Sequence, residues 1–150
     1  MKLKKLVTLV MTGIISTSLL TGCGSSTSET DSGDEKLKVA MITDVAGVND
    51  HSFNQSAWEG LQKAKKDLDI EVKYLESNQD SDYATNVETL IDDEVDLIIG
   101  VGSKLSATIE KAAKDYPEQK FVIVDGTYEN IPENVESILF NAEQSAYLVG

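Results

Sequence analysis

Residues 95–101 read Val-Asp-Leu-Ile-Ile-Gly-Val, an apolar run whose only charged member is Asp96. Such a run is typical of a central strand in a parallel sheet, because helices cover that strand on both faces. Four further strand candidates are short, mainly apolar segments, located at residues 37–43, 70–75, 121–124 and 135–140. The sequence therefore predicts a sheet with residues 95–101 in its interior.

Helical patterns occupy the segments between these strands. One amphipathic face is spaced by four, four, three and four residues, through Phe53, Ala57, Leu61, Ala64 and Leu68. Ser52 with Gln55 three residues later has the form of a capping box, which predicts that this helix begins at Phe53. Further helices are predicted at residues 82–93, 104–116 and from 142 onward. Strands that alternate with helices in this way predict an α/β fold with a doubly wound parallel sheet.

The composition excludes several classes of protein. The chain has 13 Lys and Arg against 26 Asp and Glu, a formal net charge of −13. A nucleic-acid-binding protein normally carries a basic patch to neutralise phosphates, so no nucleic-acid partner is expected. One cysteine excludes an internal disulfide and a multi-cysteine metal site, and one histidine disfavours a histidine zinc site. We expect neither a metal nor a cofactor.

The first residues resemble a targeting segment. Lys2, Lys4 and Lys5 precede an uncharged stretch at residues 6–20. A basic region before a short apolar one is typical of a secretory signal, and the apolar part is shorter than the ~20 residues of a membrane-spanning helix. Leu-Thr-Gly-Cys at residues 20–23 resembles the lipobox of bacterial lipoproteins, in which the cysteine is lipidated and becomes the new N-terminus.

Three segments follow from this interpretation. Residues 1–22 are predicted to be the signal peptide, and residues 23–36 the lipidated Cys23 with a flexible tether that contains no apolar residue after the cysteine. Residues 37–150 are the folded part. The predicted location is the extracytoplasmic face of a bacterial cell membrane, with the lipid as the anchor. Because the last predicted helix has no capping residue before Gly150, we expect the protein to continue beyond it.

Candidate ligand contacts follow from the rule that open α/β sheets bind ligands beyond the carboxyl ends of their strands. Asp44 and Asp125 follow the first and fourth predicted strands, and Phe53 and Asn54 begin the first helix. Carboxylates suit sugar hydroxyls, an aromatic ring suits the face of a base or sugar, and an amide suits a heterocycle edge. The alternatives are that the two aspartates cap helices or turns and that the phenylalanine closes the core.

Other conspicuous residues have structural interpretations. The glycines at residues 100–104 lack the spacing of a dinucleotide fingerprint or a P-loop, and they predict a tight turn with Ser103 as a helix cap. Trp58 lies off the apolar stripe and is predicted to pack against a neighbouring segment. His51 is a lone loop histidine with no nearby serine–acid or metal-ligand arrangement, which favours a solvated or capping role. Catalysis therefore has no positive support.

Residues 44–60 read DVAGVNDHSFNQSAWEG, and this motif resembles the opening of the basic membrane protein family. These proteins are substrate-binding lipoproteins of ABC transporters, related to purine nucleoside receptor lipoproteins. The resemblance extends over residues 37–150, including FVIVD at residues 121–125. It implies the N-terminal lobe of a type I periplasmic-binding-protein fold, which closes with a second lobe on a nucleoside. It also implies that Asp44 and Asp125 contact the ligand, that Phe53 stacks on the base and that Asn54 hydrogen-bonds it.

The resemblance further implies ABC permease subunits as partners and no enzymatic activity. In the family, a second lobe supplies additional base and ribose contacts, including a second aromatic residue. Three alternatives stay open at this point. The protein could be a sugar or signalling-molecule receptor on the same fold, a nucleoside-processing enzyme, or a surface antigen or adhesin without a transport role.

Overall fold

The computed structural model describes residues 36–149. The predicted signal peptide, the predicted lipidation site Cys23 and the tether up to residue 35 lie outside these residues. The tether's last predicted residue, Lys36, is described, and its Nζ lies 2.6 Å from Asp69 Oδ1. No helix among the described residues has the length and hydropathy required to cross a membrane.

Five strands and four helices alternate in the predicted way. The strands are β1 (Lys38–Ile42), β2 (Glu71–Leu75), β3 (Leu97–Val101), β4 (Lys120–Val124) and β5 (Val135–Ile138). The helices are α1 (Phe53–Leu68), α2 (Asp82–Asp92), α3 (Ser106–Asp115) and α4 (Ala142–Val149). A short 3-10 helix, Ser103–Leu105, precedes α3. The predicted elements are therefore confirmed, with boundaries that differ by a few residues.

The sheet has the strand order β2-β1-β3-β4-β5, and each neighbouring pair is parallel. The order changes direction between β1 and β3, which is where ligands bind in open sheets of this type. Val124 pairs with Val101 on one side and with Ile138 on the other, while Ile42 pairs with Gly100. The strands therefore end in one row, and the residues that follow them share one edge, called the carboxyl edge below.

Helices cover both faces of the sheet, as a doubly wound fold requires. On one face, buried side chains of the inner strands pack against α2 and α3. The strands contribute Ala40, Ile42, Ile98, Phe121 and Ile123, and the helices contribute Val87, Leu90 and Ile109. On the other face, α1 packs against Met41 and Val101. Successive strand residues alternate between the two faces, so each inner strand contributes to both layers of the core.

The first helix shows how the core ends near the carboxyl edge. Ala57 and Leu61 of the predicted apolar stripe contact the core, whereas Phe53 at its start is 47% exposed. Trp58 packs against Tyr74 of β2, with ring centroids 4.8 Å apart, and this confirms the predicted contact with a neighbouring segment. Phe53 is thus left beside the edge and outside the core, contrary to the alternative that it closes the core.

Candidate ligand-binding site

Asp44 and Asp125 lie on the carboxyl edge, with Gly102 between them. Gly102 donates its N–H to the carbonyl of Val124, 2.9 Å away. A Cβ at Gly102 would stand 3.9 Å from Asp44 Oδ2, and the φ of Gly102 is +96°, a conformation that side chains rarely adopt. Because β3 separates β1 from β4, and neighbouring strands are ≈ 4.8 Å apart, the backbones at the two aspartates are about 10 Å apart, with the end of β3 between them.

The chain leaves the sheet abruptly at Asp125. This residue has a φ of +58°, and its N–H donates to the carbonyl of Ile138 at 2.8 Å. A Cβ at the next residue, Gly126, would lie 2.6 Å from both Ile123 Cγ1 and Ser106 Oγ. The backbone therefore passes close to the start of α3, and the side chain of Asp125 is exposed at the edge.

A bridge of hydrogen bonds joins Asp44 to the start of α1. The Nδ2 of Asn54 donates to Asp44 Oδ1 at 2.8 Å and to Asp50 Oδ2 at 3.1 Å. Asp44 Oδ1 also accepts from the N–H of Ala46 at 3.0 Å. One oxygen of Asp44 thus closes a turn, as the structural alternative proposed. Within residues 36–149, no hydrogen bond reaches its Oδ2.

Asp50 caps the first helix, and the predicted capping box is wrong. The Ser52 side chain makes no capping hydrogen bond. The carboxylate of Asp50 instead accepts from the backbone N–H groups of Ser52, Asn54 and Gln55, at 2.8, 3.0 and 3.0 Å. An N-terminal turn stabilised in this way holds Phe53 and Asn54 in fixed positions relative to Asp44.

Opposing effects act on the charge of Asp50. Desolvation raises the pKa of its carboxyl, but the hydrogen bonds from Gln55, Asn54 and Ser52 together outweigh it, so the net pKa lies below the ordinary value. Burial raises the pKa of the neighbouring Tyr83 phenol to about 12, and a hydrogen bond to Asp80 adds to this rise. Asp50 is therefore ionised at neutral pH, and the phenol of Tyr83 stays protonated there.

Asn54 lies beneath the edge, with its amide orientation fixed. Its side chain is 2% exposed, and both N–H groups of the amide point to carboxylates, which accept and do not donate. Its Oδ1 is buried without a hydrogen-bond partner among the described residues. An unpaired buried acceptor costs free energy, and this one belongs to the same amide that joins the carboxylates of Asp44 and Asp50.

An apolar cleft of about 520 Å³ opens beside Phe53 on the same edge. It is lined by two aromatic rings, three aliphatic side chains and two serines: Phe53, Phe140, Ala57, Val124, Ile138, Ser52 and Ser56. The ring of Phe53 contacts that of Phe140, with centroids 5.9 Å apart and an interplanar angle of 58°. The volume of the cleft lies within the range of small-molecule sites.

The structure thus brings Asp44, Phe53 and Asn54 together and places Asp125 across the edge, next to cleft residue Val124. Sequence reasoning missed Asp50 and Phe140. Phe140 follows the end of β5 and so lies at the carboxyl edge. Sequence reasoning missed it because the predicted strand at residues 135–140 included it. The predicted cap at Ser103 is also wrong. Ser103 is the first residue of the 3-10 helix, and the capping position before it is Gly102, which has no side chain to form a capping hydrogen bond.

A second, larger cleft of about 720 Å³ lies at the opposite edge, which we call the amino edge. Two of its polar side chains, Gln119 and Asp96, bind the protein's own backbone. Gln119 Nε2 donates to the carbonyls of Val95 and Asp96, at 2.9 and 3.2 Å. Asp96 Oδ2 accepts from the N–H of Lys38 at 2.7 Å. Among the described residues, no group of three or more His, Cys, Asp or Glu is placed to hold a metal ion.

A family model described as "ABC transporter substrate-binding protein PnrA-like", named Bmp, matches residues 37–150. The chain belongs to the Bmp family. This confirms the resemblance to the basic membrane protein family that the motif at residues 44–60 indicated.

Two relatives and one solved structure illustrate the similarity. The chain is 44% identical to the CD4+ T-cell-stimulating antigen of Listeria innocua, over 98% of this chain and 44% of the relative. It is 39% identical to the ABC transporter nucleoside-binding protein BmpA of Lactococcus lactis, over 98% of this chain and 43% of the relative. An ABC transporter system solute-binding protein from Aeropyrum pernix is 32% identical, with a TM-score of 0.70 over 75% of this chain and 31% of that protein.

These similarities confirm the fold class as an α/β fold of the periplasmic-binding-protein type. They also show that this Bmp-family chain spans less than half the length of the curated relatives it matches. The family is a class of transporter components and not a class of enzymes.

Proposed function

We propose that the protein is a lipid-anchored receptor that binds a nucleoside and delivers it to the permease of an ABC transporter. The observation that carries this proposal is the placement of an exposed aromatic ring beside open carboxylates on one edge of the sheet. A nucleoside has a flat apolar base and a ribose rich in hydroxyl groups. The carboxyl edge offers a group suited to each of them.

Each site residue has a proposed role. Phe53 stacks on the base, since its half-exposed ring borders the apolar cleft. Asp44 and Asp125 accept hydrogen bonds from ligand hydroxyl or N–H groups. Asn54 hydrogen-bonds the base edge. Asp50 positions Asn54 and does not itself touch the ligand.

Residues 37–150 form one lobe in this proposal. A second lobe would close on the carboxyl edge and bury the ligand between the two, as hinged binding proteins do. The name of the Lactococcus lactis relative supports a nucleoside as the ligand.

For the anchor, the lipobox-like residues 20–23 support lipidation at Cys23. Incorporation of radiolabelled palmitate into the protein, lost in a Cys23→Ser variant, would test it.

Calorimetric titration of the full-length protein tests the ligand class. Inosine, guanosine and adenosine are each compared with ribose and glucose. We expect heat of binding with at least one nucleoside and none with the sugars. Clear binding of a sugar without binding of any nucleoside would favour the sugar receptor and overturn the proposal. Release of free base during incubation would instead favour the enzyme.

Two variants connect the titration to the carboxyl edge. Phe53→Ala removes a stacking partner, so we expect the Kd to rise by about 5- to 150-fold. Asp125→Ala removes a charged acceptor and is expected to weaken binding by about 10- to 150-fold. The matched controls are Tyr116→Ala, an exposed aromatic residue at the amino edge, and Asp92→Ala at the end of α2. Equal losses in variants and controls would contradict the assigned roles.

A further inference from the structure

Phe140 is a large aromatic side chain that the fold leaves uncovered beside another one. It lies two residues beyond the end of β5 and is 54% exposed, while its partner Phe53 is 47% exposed. Single exposed apolar residues are ordinary on protein surfaces, but adjacent ones that line a cleft mark a binding surface. The question is what covers the two rings.

The geometry of the pair favours a flat ring system. The two rings are inclined at 58° with centroids 5.9 Å apart, so a planar ligand lying on one ring meets the other ring near its edge. Aromatic rings attract one another both in offset stacks and in edge-to-face contacts. A bicyclic base can make both contacts at once, whereas a single six-membered ring covers less of the pair.

Polar groups around the cleft fit the same occupant. Val124 lines the cleft, and the carboxylate of Asp125 follows it directly in the chain. Ser52 and Ser56, at the start of α1, also line the cleft. A ligand with an apolar face and hydrogen-bond donors at its edges is complementary to this arrangement.

We propose that Phe140 is a second ligand-contacting aromatic residue, which meets the base together with Phe53. This inference rests on the proposed function, since it takes a nucleoside as the ligand. It adds an aromatic contact from the same lobe as Phe53.

The test uses the full-length protein and pairs Phe140→Ala with Leu139→Ala. Leu139 is the adjacent residue and is 58% exposed, but it does not line the cleft. We expect Phe140→Ala to weaken the binding of a purine nucleoside about tenfold and to weaken uridine binding less. Leu139→Ala is expected to leave both affinities unchanged. Phe140→Tyr keeps the ring and should retain the purine affinity, whereas Phe140→Leu keeps an apolar side chain without a ring and should not.

The outcomes separate this inference from the proposed function. If the unsubstituted protein binds purine nucleosides and Phe53→Ala weakens that binding while Phe140→Ala does not, the inference fails alone. Full purine affinity in Phe140→Leu would also overturn it, because an apolar filler would then suffice. A protein that binds no nucleoside overturns both. Thermal unfolding of each variant identifies a loss of folding, and the Phe140→Leu and Phe140→Tyr pair decides the matter if Phe140→Ala does not fold.

Discussion

The amino edge of the sheet has the larger cleft, about 720 Å³ against about 520 Å³ at the carboxyl edge, yet the two edges use their polar side chains differently. At the amino edge, Gln119 and Asn134 donate to backbone carbonyls. At the carboxyl edge, Asp44 keeps one oxygen open and Asn54 keeps an unpaired acceptor. Cleft volume alone therefore does not distinguish the two edges. The proposed site rests on the open oxygen of Asp44 and on Phe53 and Phe140, two exposed rings in contact that line one cleft.

Asn134 and Asn54 use their amide side chains in two different ways. Asn134 Nδ2 lies 3.1, 3.1 and 2.9 Å from the carbonyl oxygens of Ala113, Tyr116 and Gln119, and so ties the end of α3 to the loop before β5. Asn54 Nδ2 ties two carboxylates together next to the cleft. The first amide stabilises the fold. The second also sets the geometry of a proposed ligand site.

The largest effect is expected from Asn54→Asp. This variant places a third carboxylate within hydrogen-bond distance of Asp44 and Asp50 and removes both donors. We expect the free energy of unfolding at pH 7 to fall by about 3 kcal/mol, since buried charged groups without partners are costly. Like charges raise the pKa of the new carboxyl in the folded state, so the loss should shrink as the pH falls and that group is protonated.

Chemical denaturation at pH 7 and pH 5 measures this loss. Gln62→Glu is the control, because it adds the same charge to an exposed position of the same helix. Equal destabilisation by the two substitutions would show that the bridge between the carboxylates contributes nothing specific.

A smaller effect is expected from Asn134→Ala at the amino edge. Carbonyl groups lose a donor, so we expect a fall of about 2 kcal/mol in the free energy of unfolding. The Kd for a nucleoside should not change, because the residue lies at the edge opposite the proposed site. Asn130→Ala, in the exposed loop before β5, is the control for stability. A raised Kd in a folded Asn134→Ala protein would contradict the separation of the two edges.

The smallest effect is expected from Asp50→Asn. The amide keeps a capping oxygen but loses the charge that favours the N-terminus of α1, so we expect a loss of about 1 kcal/mol at neutral pH. The folded-state pKa of Asp50 lies below the ordinary value of 3.8. Its charged form therefore stabilises the fold above that pH, and this contribution is lost as the pH falls through the folded-state pKa.

Denaturation curves between pH 7 and pH 2.5 follow this difference. The gap between the unsubstituted protein and Asp50→Asn should close below about pH 3.8. Asp92→Asn provides the matched control for loss of one exposed carboxylate. A gap that stays constant over this range would show that the charge of Asp50 does not stabilise α1.

The fold was largely predictable because its signals are local. Alternating apolar strands and amphipathic helices specify the layers, and the carboxyl ends of parallel strands necessarily meet at one edge. That reasoning correctly placed Asp44 and Asp125 on the edge. It needed no knowledge of which strands are neighbours.

The errors depend on backbone conformations that periodicity does not reveal. His51, next to the cap, has a φ of +55°, so the chain turns there and Asp50, not Ser52, faces the first N–H groups of the helix. The chain also turns away from the sheet at Asp125, whose φ is +58°. Pairing with β5 ends there, which frees Phe140 from the predicted strand and directs it toward Phe53.

We propose that the carboxyl edge, and not the larger cleft at the amino edge, binds a nucleoside. The most direct measurement is a titration of the ¹⁵N-labelled full-length protein with guanosine, followed by amide chemical shifts. We predict saturable shifts at Asp44, Phe53, Asn54 and Asp125 and unchanged shifts at residues 118–120. Saturable shifts confined to residues 118–120, or no shifts at the carboxyl edge with any nucleoside, would contradict this proposal.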